Sequence, residues 1–333
     1  MKTRNHGASI AAFALAALIA LSFAAPTSAT PSLAAEAVPT LRFAAMPLID
    51  LVPVYAAEKE GLFTKNGVRV EFIPVGAAPA RDQLLAAGQA DAAVNEIQAV
   101  INFNRVTVRM KALRWALRPA PGFPHFFVLG AKGAGLSGAA SLRGVEIGVS
   151  QGTIIEYVTE RLLAAAGLAK GDIRSLNVPG MPDRMALLAS GQLRAATMPE
   201  PLASLARKQG ATVILDDSGF PQFGSSVISF RTEYIKANPA AVRAFLAAIE
   251  EATALVNANP ERYSSILAER QLVPPDIAPN FRLPPFPTRG TPSKAEFEDA
   301  LSWMRDKNML ARASAAAPGP LWADSVDASF LPR

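Results

Sequence analysis

The stretch Leu84–Glu96, LLAAGQADAAVNE, returns further along as Leu187–Pro199, LLASGQLRAATMP, and this echo constrains the fold more than any other feature of the chain. With Leu84 laid on Leu187, the residues Leu84, Leu85, Ala86, Gly88, Gln89, Ala92 and Ala93 meet identical partners. Pro79 and Arg81 fall on Pro182 and Arg184 at the same offset, and the extended VRVEFIPV precedes one copy as IRSLNVPG precedes the other. A unit used twice in this way predicts two lobes built alike. Each copy reads as a helix end, a stop and a short buried strand. Gly88 and Gly191 stand where the last helical turn closes through a positive φ. Small residues follow, as in a strand covered by helices on both faces. In an open α/β sheet the ligand crevice lies beyond the carboxyl ends of the strands, which makes Asn95 and Glu96 in one copy, and Met198 and Glu200 in the other, candidate wall residues.

Around the echo the chain alternates strand and helix. Leu41–Ala45, Val68–Ile73, Ala90–Val94 and Met110–Trp115 read as strands, with helices over Val52–Glu60, Ala80–Ala87 and Glu96–Asn104 between them. The same order recurs from His125–Gly130 through Val145–Val149, the helix Ile154–Ala166, and on to Thr212–Leu215. Gly61 ends the first helix of one half as Gly167 ends that of the other. Such spacing predicts a parallel, doubly wound sheet in each lobe rather than a sandwich. Two turn-rich stretches break the pattern, RPAPGFP at 118–124 and DDSGFPQFG at 216–224, and both are read as crossovers. The expected division is lobe 1 over residues 38–118 and 225–333, and lobe 2 over 119–224. Ser226–Phe230 is then a strand rejoining lobe 1. Asn238 before Pro239 and Asn259 before Pro260 place an N-cap ahead of a first-turn proline. Ser293 and Glu296 have the spacing of a capping box, opening a last helix that runs to about Asn308. The Pro-rich run between Leu272 and Pro292 is expected to wrap a body already folded.

Composition narrows the chemistry. Half of the 333 residues are hydrophobic, enough for a substantial core without disulfides. The absence of cysteine removes thiol catalysis, thiolate metal sites and lipid attachment through sulfur. A formal charge of +5 with no Lys/Arg tract gives no footprint for a nucleic-acid partner. His6 and His125 are the only histidines, and His6 falls in the leader, so no pair exists for a metal or a triad; no metal and no cofactor is expected. Lys2 and Arg4, the apolar run Ile10–Ala25 and the small residues after it have the layout of a cleaved secretory signal over residues 1–37, with cleavage after Ala29 or, favoured, Ala37. An exported, periplasmic, monomeric protein without a membrane insertion is the expectation.

Several residues could bind a ligand. Ser150, Gln151, Gly152 and Thr153 sit at a strand-to-helix turn that offers amides and hydroxyls to a carboxylate or sulfonate, or that merely caps the helix. Pro47, Leu48 and Asp50 hold the matching place in lobe 1, where Asp50 could equally be an N-cap. Arg81 and Arg184 occupy first-turn positions where a cation needs compensation, from an anionic ligand or from neighbouring Asp82 and Asp183. Glu96 and Glu200 face the crevice or cap helices. Trp115, with Phe123, His125, Phe220 and Phe223, could stack on a flat ligand or pack the hinge.

The segments LRFAAMPLIDLVPVYAAEKEGLF, GVRVEFIPV and LLAAGQADAAV, followed by SLRGVEIGVSQGTIIEYVTERLLAAAGL, LLASGQLRAATMPEPLASLARKQGA and YIKANPAAVRAFLAAIEEA, resemble the nitrate, sulfonate and taurine class of solute-binding proteins of bacterial ABC importers. The resemblance covers nearly all of the chain after the leader. It implies a type II periplasmic-binding-protein fold of two α/β lobes, a small organic ligand held between them, and a membrane permease with its ATPase as partners. The class also includes thiamine-pyrimidine synthases with a cysteine-rich motif, a reading that a chain without cysteine rejects. The alternative from another class is an exported enzyme on the same scaffold, acting on a small heteroaromatic or acidic metabolite with Asp50, Glu96 or Glu200 as acid and base. A transcription-regulator effector module would need a DNA-binding domain where the leader stands.

Overall fold

The computed structural model describes residues 38–310 and 320–332, so the expected leader lies outside the described residues. Among the described residues no helix is long and apolar enough to cross a membrane.

Lobe 1 begins with β1 (Thr40–Ala45), α1 (Val52–Lys59), α2 (Leu62–Lys65), β2 (Arg69–Pro74), α3 (Ala78–Ala86), β3 (Ala92–Glu96), α4 (Ile97–Phe103) and β4 (Met110–Leu117). Lobe 2 follows with β5 (Phe126–Gly130), β6 (Glu146–Val149), α5 (Ile154–Ala165), β7 (Arg174–Asn177), α6 (Met181–Ala189), β8 (Ala195–Pro199), α7 (Leu202–Lys208) and β9 (Thr212–Asp216). The chain then returns through β10 (Ser226–Arg231), α8 (Thr232–Ala237), α9 (Pro239–Ala258), α10 (Pro260–Tyr263), α11 (Ser265–Glu269), α12 (Lys294–Asp306) and α13 (Trp322–Ser325). The sequence echo is an echo of structure. Laying Leu84 on Leu187 superposes α3 on α6 and β3 on β8 residue for residue, and both helices close through a left-handed glycine, Gly88 at φ 71 and Gly191 at φ 76.

Each lobe holds one five-stranded sheet, in the orders β2-β1-β3-β10-β4 and β7-β6-β8-β5-β9. Neither is all parallel, contrary to the expectation from strand-helix alternation. β10 runs antiparallel to both β3 and β4, and β5 runs antiparallel to both β8 and β9. The reason is topological. β4 and β9 end at the crossovers, so the other strands of each sheet carry their carboxyl ends toward the junction. β5 and β10 are the strands that arrive by crossover, and a strand entering a sheet at the junction has to run away from it.

The first sheet buries one face against α1 and α9. Phe63 stacks on Phe245 at 5.4 Å between ring centroids, and Phe230 meets Phe245 edge-on at 5.6 Å. Burying each such ring contributes roughly 1.5–3 kcal/mol. The Pro-rich wrap delivers Leu272, Val273, Leu283 and Phe286 to the same core. The capping box of α12 is formed in full by Ser293 and Glu296. Asn259 caps α10 through the Arg262 amide, whereas Asn238 makes no side-chain cap. α8 ends at that same residue, and the Asn238 N–H turns back to the Tyr234 carbonyl instead.

α12 does more than complete lobe 1, the lobe to which the sequence division gives it. Phe297, Leu301, Trp303 and Met304 belong to a core that takes in Ile97 and Ile101 of α4 together with Tyr157, Val158 and Leu162 of α5. Trp303 Nε1 donates to Glu160 at 2.7 Å, Lys307 reaches Glu156 at 2.7 Å and Glu160 at 2.5 Å, and Asp299 accepts from Tyr157 at 2.6 Å and Arg161 at 2.8 Å. The helix thus ties the two lobes together as a third connection beside the crossovers.

Candidate functional site

The two crossovers are stapled to each other and to the first turn of lobe 1. Asp217 Oδ1 accepts the amides of His125 at 2.7 Å and Phe126 at 3.1 Å. His125 Nδ1 lies 3.0 Å from the Gly224 carbonyl, which can only accept, so that nitrogen carries a proton and Nε2 is left facing Asp50 Oδ2 at 3.8 Å. Ser226 donates its hydroxyl to Asp50 Oδ1 and accepts the Leu117 amide at 3.1 Å. Gly224 is needed where it stands, because a Cβ there would fall 1.9 Å from Asp217 Oδ2. Burial pushes the Asp217 carboxyl up to about 6, against the opposing pull of His125 and the two amides. Asp50 Oδ2 and Asp217 Oδ2 are both buried without a hydrogen-bond partner.

On the lobe 1 side Pro47 is exposed and Leu48 half-buried, while Asp50 is buried. Asp50 does not cap a helix with its side chain; its acceptor is used across the junction. Glu96 is partly exposed and held by Arg81 Nη2 at 3.2 Å. Arg81 also contacts Asp82 at 2.9 Å and the Val94 carbonyl at 3.0 Å. Burial works against this guanidinium, but Glu96 and Asp82 raise its affinity for the proton above the usual value.

In lobe 2 the Ser150–Thr153 turn largely uses its own groups. Thr153 Oγ1 accepts the Ile155 amide at 3.2 Å and donates to the Ser150 carbonyl at 2.7 Å. The Gln151 amide goes to Asn177 Oδ1 at 3.1 Å, and the Gly152 amide to Glu156 Oε2 at 2.7 Å. Glu156 therefore links this turn to Lys307 beyond α12. Glu200 accepts the amide of Ser204 at 3.0 Å and its hydroxyl at 2.8 Å, a capping role at the start of α7, and burial raises its carboxyl above the usual range.

Three candidates from the sequence sit in the core rather than on a free wall. Asn95 is fully buried, its Nδ2 donating to Ser229 at 2.7 Å across the β3–β10 ladder. Trp115 is buried between Arg118, 4.4 Å from its ring, and the Gly290 backbone. Met198 is fully buried with its sulfur 3.4 Å from Arg184 Nε. The physical reason is coverage: strand residues alternate faces, and α4, α6, α12 and the wrap leave no open face beside these tips. Phe220 and Phe223 stack on each other at 5.8 Å, and Phe223 meets Tyr157 at 6.2 Å, so these rings pack the return crossover. The sequence reading missed Asp217, Gly224 and Ser226 as junction residues. The turn DDSGFPQFG carried the signal, since an acid followed by Gly and Pro at a chain reversal is a hinge in the making. Among the described residues no group of His, Asp and Glu is placed to hold a metal ion.

Paired α/β lobes whose strand tips meet at two crossovers define the periplasmic-binding-protein class of fold. Within it, the chain belongs to the NMT1/THI5-like family, whose model matches residues 49–263. A protein of Brucella abortus (strain 2308) that bears the provisional name of binding protein is 31% identical over 141 residues, 40% of this chain and 43% of the relative, so the chain matches less than half the length of that protein. Among solved structures, the periplasmic aliphatic sulphonate binding protein SsuA from Escherichia coli shares the fold with a TM-score of 0.70 at 19% identity, over 82% of this chain and 94% of that one. The desulfurization enzyme DSZB shares it with a TM-score of 0.62 at 16% identity, over 88% and 97%.

Proposed function

We propose that this protein is the solute-binding component of an ABC importer, exported to the periplasm, which closes its two lobes on a small organic molecule and hands it to a membrane permease driven by an ATPase. The observation that carries the reading is the junction: two crossovers clasped by Asp217, His125 and Gly224, lying at the carboxyl ends of both sheets, where α/β folds bind ligands. Lobes so joined move as rigid bodies about short segments, and a ligand favours the closed form by its differential affinity for it. Family membership and the fold shared with a sulfonate-binding protein support this reading. Asp50, Glu96, Pro47, Leu48 and the Ser150–Thr153 turn are the proposed wall of the site.

The exported-enzyme reading draws support from the fold shared with DSZB. Against it, each carboxylate nominated as acid or base is already engaged, Asp50 by Ser226, Glu96 by Arg81 and Glu200 by Ser204. Thermal unfolding of the full mature protein in a panel of sulfonates, carboxylates, amines and heteroaromatics separates the two. Binding raises Tm with ligand concentration, and the ligand is recovered unchanged by mass spectrometry. A panel that leaves Tm where it was removes the receptor reading, and a ligand recovered as product replaces it with the enzyme.

A further inference from the structure

One face of α12 is polar and crosses to the other lobe. Asp299, Trp303 and Lys307 follow one another at i, i+4 and i+8, which on a helix is a single stripe. Opposite them α5 presents Glu156, Tyr157, Glu160 and Arg161. The Tyr157 hydroxyl and Arg161 Nε donate to Asp299, Trp303 Nε1 donates to Glu160, and Lys307 Nζ donates to both glutamates. Burial works against the Lys307 ammonium, yet its bonds to Glu156 and Glu160 raise its affinity for the proton. Glu156 is the more deeply buried of the two acids, its side chain 6% exposed, and its second oxygen holds the Gly152 amide at 2.7 Å. Lys307 thus acts on an exposed turn of lobe 2 through a carboxylate that has no other cation.

The helix itself is rooted in lobe 1. Phe297 and Leu301 on its apolar face share a core with Ile97 and Ile101 of α4, on which α12 packs. Glu296 in its first turn accepts from Arg118 Nη2 at 2.8 Å, and Arg118 follows β4 into the forward crossover. Just ahead of the helix, the Pro292 carbonyl accepts Trp322 Nε1 of α13, which packs on β4. The far end of α12 reaches the crevice lip of lobe 2. Gly152 follows the carboxyl end of β6 and is exposed, and a Cβ there would lie 3.5 Å from Met309 Cε, just past α12. In the order β7-β6-β8-β5-β9, the strands that adjoin the crossovers are β5 and β9, so β6 lies toward the mouth. Opening the crevice therefore draws Gly152 and the start of α5 away from a helix fixed to lobe 1. Apolar packing slides in small steps, but charge-assisted hydrogen bonds are directional and are lost once stretched.

We propose that Lys307 is a positioning residue of the ligand site: through Glu156 it holds the Gly152 turn, and the stripe that it ends is a latch between the lobes that biases the ligand-free protein toward closure. The proposal rests on the receptor reading, which gives the turn its role. A ligand that closes the lobes then works with an equilibrium already tilted its way, and its affinity rises with the population of the competent form. Without the lysine, Glu156 and Glu160 face the end of α12 as two like charges with no cation between them, and the latch turns from attraction to repulsion.

The test needs no ligand. The chain has no cysteine, so Ala80→Cys with Asp183→Cys places one spin label on each lobe. These two are equivalent residues of the repeat, exposed in the first turns of α3 and α6 that follow the edge strands β2 and β7, at the mouth of the crevice. Double electron–electron resonance on the labelled mature protein reads the distance between them, and the backbone 15N–1H signal of Gly152 reports on the turn. In Lys307→Met the ratio of long to short distances is expected to rise about ten- to a hundredfold, the worth of a hydrogen bond to a charged group. The Gly152 signal moves with it, and Lys307→Arg restores both. Trp303→Phe, which keeps the ring and removes one donor, shifts the distances the same way by less. A folded Lys307→Met with unchanged or shorter distances, an unmoved Gly152 signal, or a shift that Lys307→Arg does not reverse overturns the proposal. If Lys307→Met does not fold, the distances in Trp303→Phe decide by the same criterion. The two readings fail separately: unchanged distances remove the latch and leave the receptor, whereas a ligand panel that never raises Tm removes the receptor and leaves the distances as they are.

Discussion

At the scale of single residues, the junction is where burial and charge conflict most. Asp217 keeps two amides in place with one oxygen while its other oxygen is stranded, and its proton affinity in the folded state is raised from 3.8 to about 6. The sign follows from that direction. A carboxyl that is easier to protonate when folded contributes stability that is complete below its unfolded value and is lost as pH rises through about 6. Asp217→Asn keeps an acceptor for both amides and cannot ionise. It is expected to match wild type near the unfolded value and to exceed it at pH 8 by at most on the order of 3 kcal/mol. Urea unfolding of both proteins at the two pH values checks this, and equal differences at both would refute it. Gly224→Ala places a methyl against the same carboxylate and should cost about 1–3 kcal/mol. Combining it with Asp217→Ala should recover much of that loss, since contacting residues are not additive.

At the scale of elements, α12 is held at its start by a capping box and at its end by Lys307 between two carboxylates of α5. Ser293→Ala should lower stability by about 1 kcal/mol, the usual worth of such a cap. Lys307→Met should cost more, roughly 3 kcal/mol, because Glu156 is nearly buried and would lose its counter-charge. Hydrogen exchange separates the two changes: the cap variant should speed exchange in the first turn of α12, while the lysine variant should also loosen the start of α5, where Glu156 holds the Gly152 amide. Exchange confined to α12 in both would deny the link. Elements were the part of the structure most legible beforehand. α3, β3, α6 and β8 were readable from two glycines and a run of small residues, because helix termination and strand burial are local consequences of side-chain size and backbone freedom. The Asn238 cap was misread because a second helix ends at that residue, and nothing local announces it.

At the scale of the whole molecule, the lobes share a core. Phe297, Trp303 and Met304 of α12 join residues of α4 and α5 into one apolar cluster, so neither lobe closes its hydrophobic surface alone. Calorimetry of the ligand-free protein should show a single cooperative transition, and two separate transitions would mean that the α12 contacts do not couple the lobes. This coupling bears on function as well. Closure about the crossovers has to carry α12 with one lobe and slide it on the other, or be limited by it.

The sequence by itself determined the duplicated plan, the alternation of its main strands and helices and the crossovers, because periodicity, helix stops and turn chemistry are written in neighbouring residues, while the class of protein was legible through the resemblance of whole segments to a known family. It also supplied Asp50, Glu96 and the Ser150–Thr153 turn as residues at strand tips. Only the tertiary structure decided what each tip residue is engaged with. Asn95, Trp115 and Met198 are covered by elements distant in the chain, Asp217 and Ser226 acquire their roles by meeting His125 and Asp50, and Arg81 and Arg184 differ only in what packs beside them. The direction of β5 and β10 was decided at that level too. A single strand looks the same from either end, and its sense is set by where the chain enters the sheet.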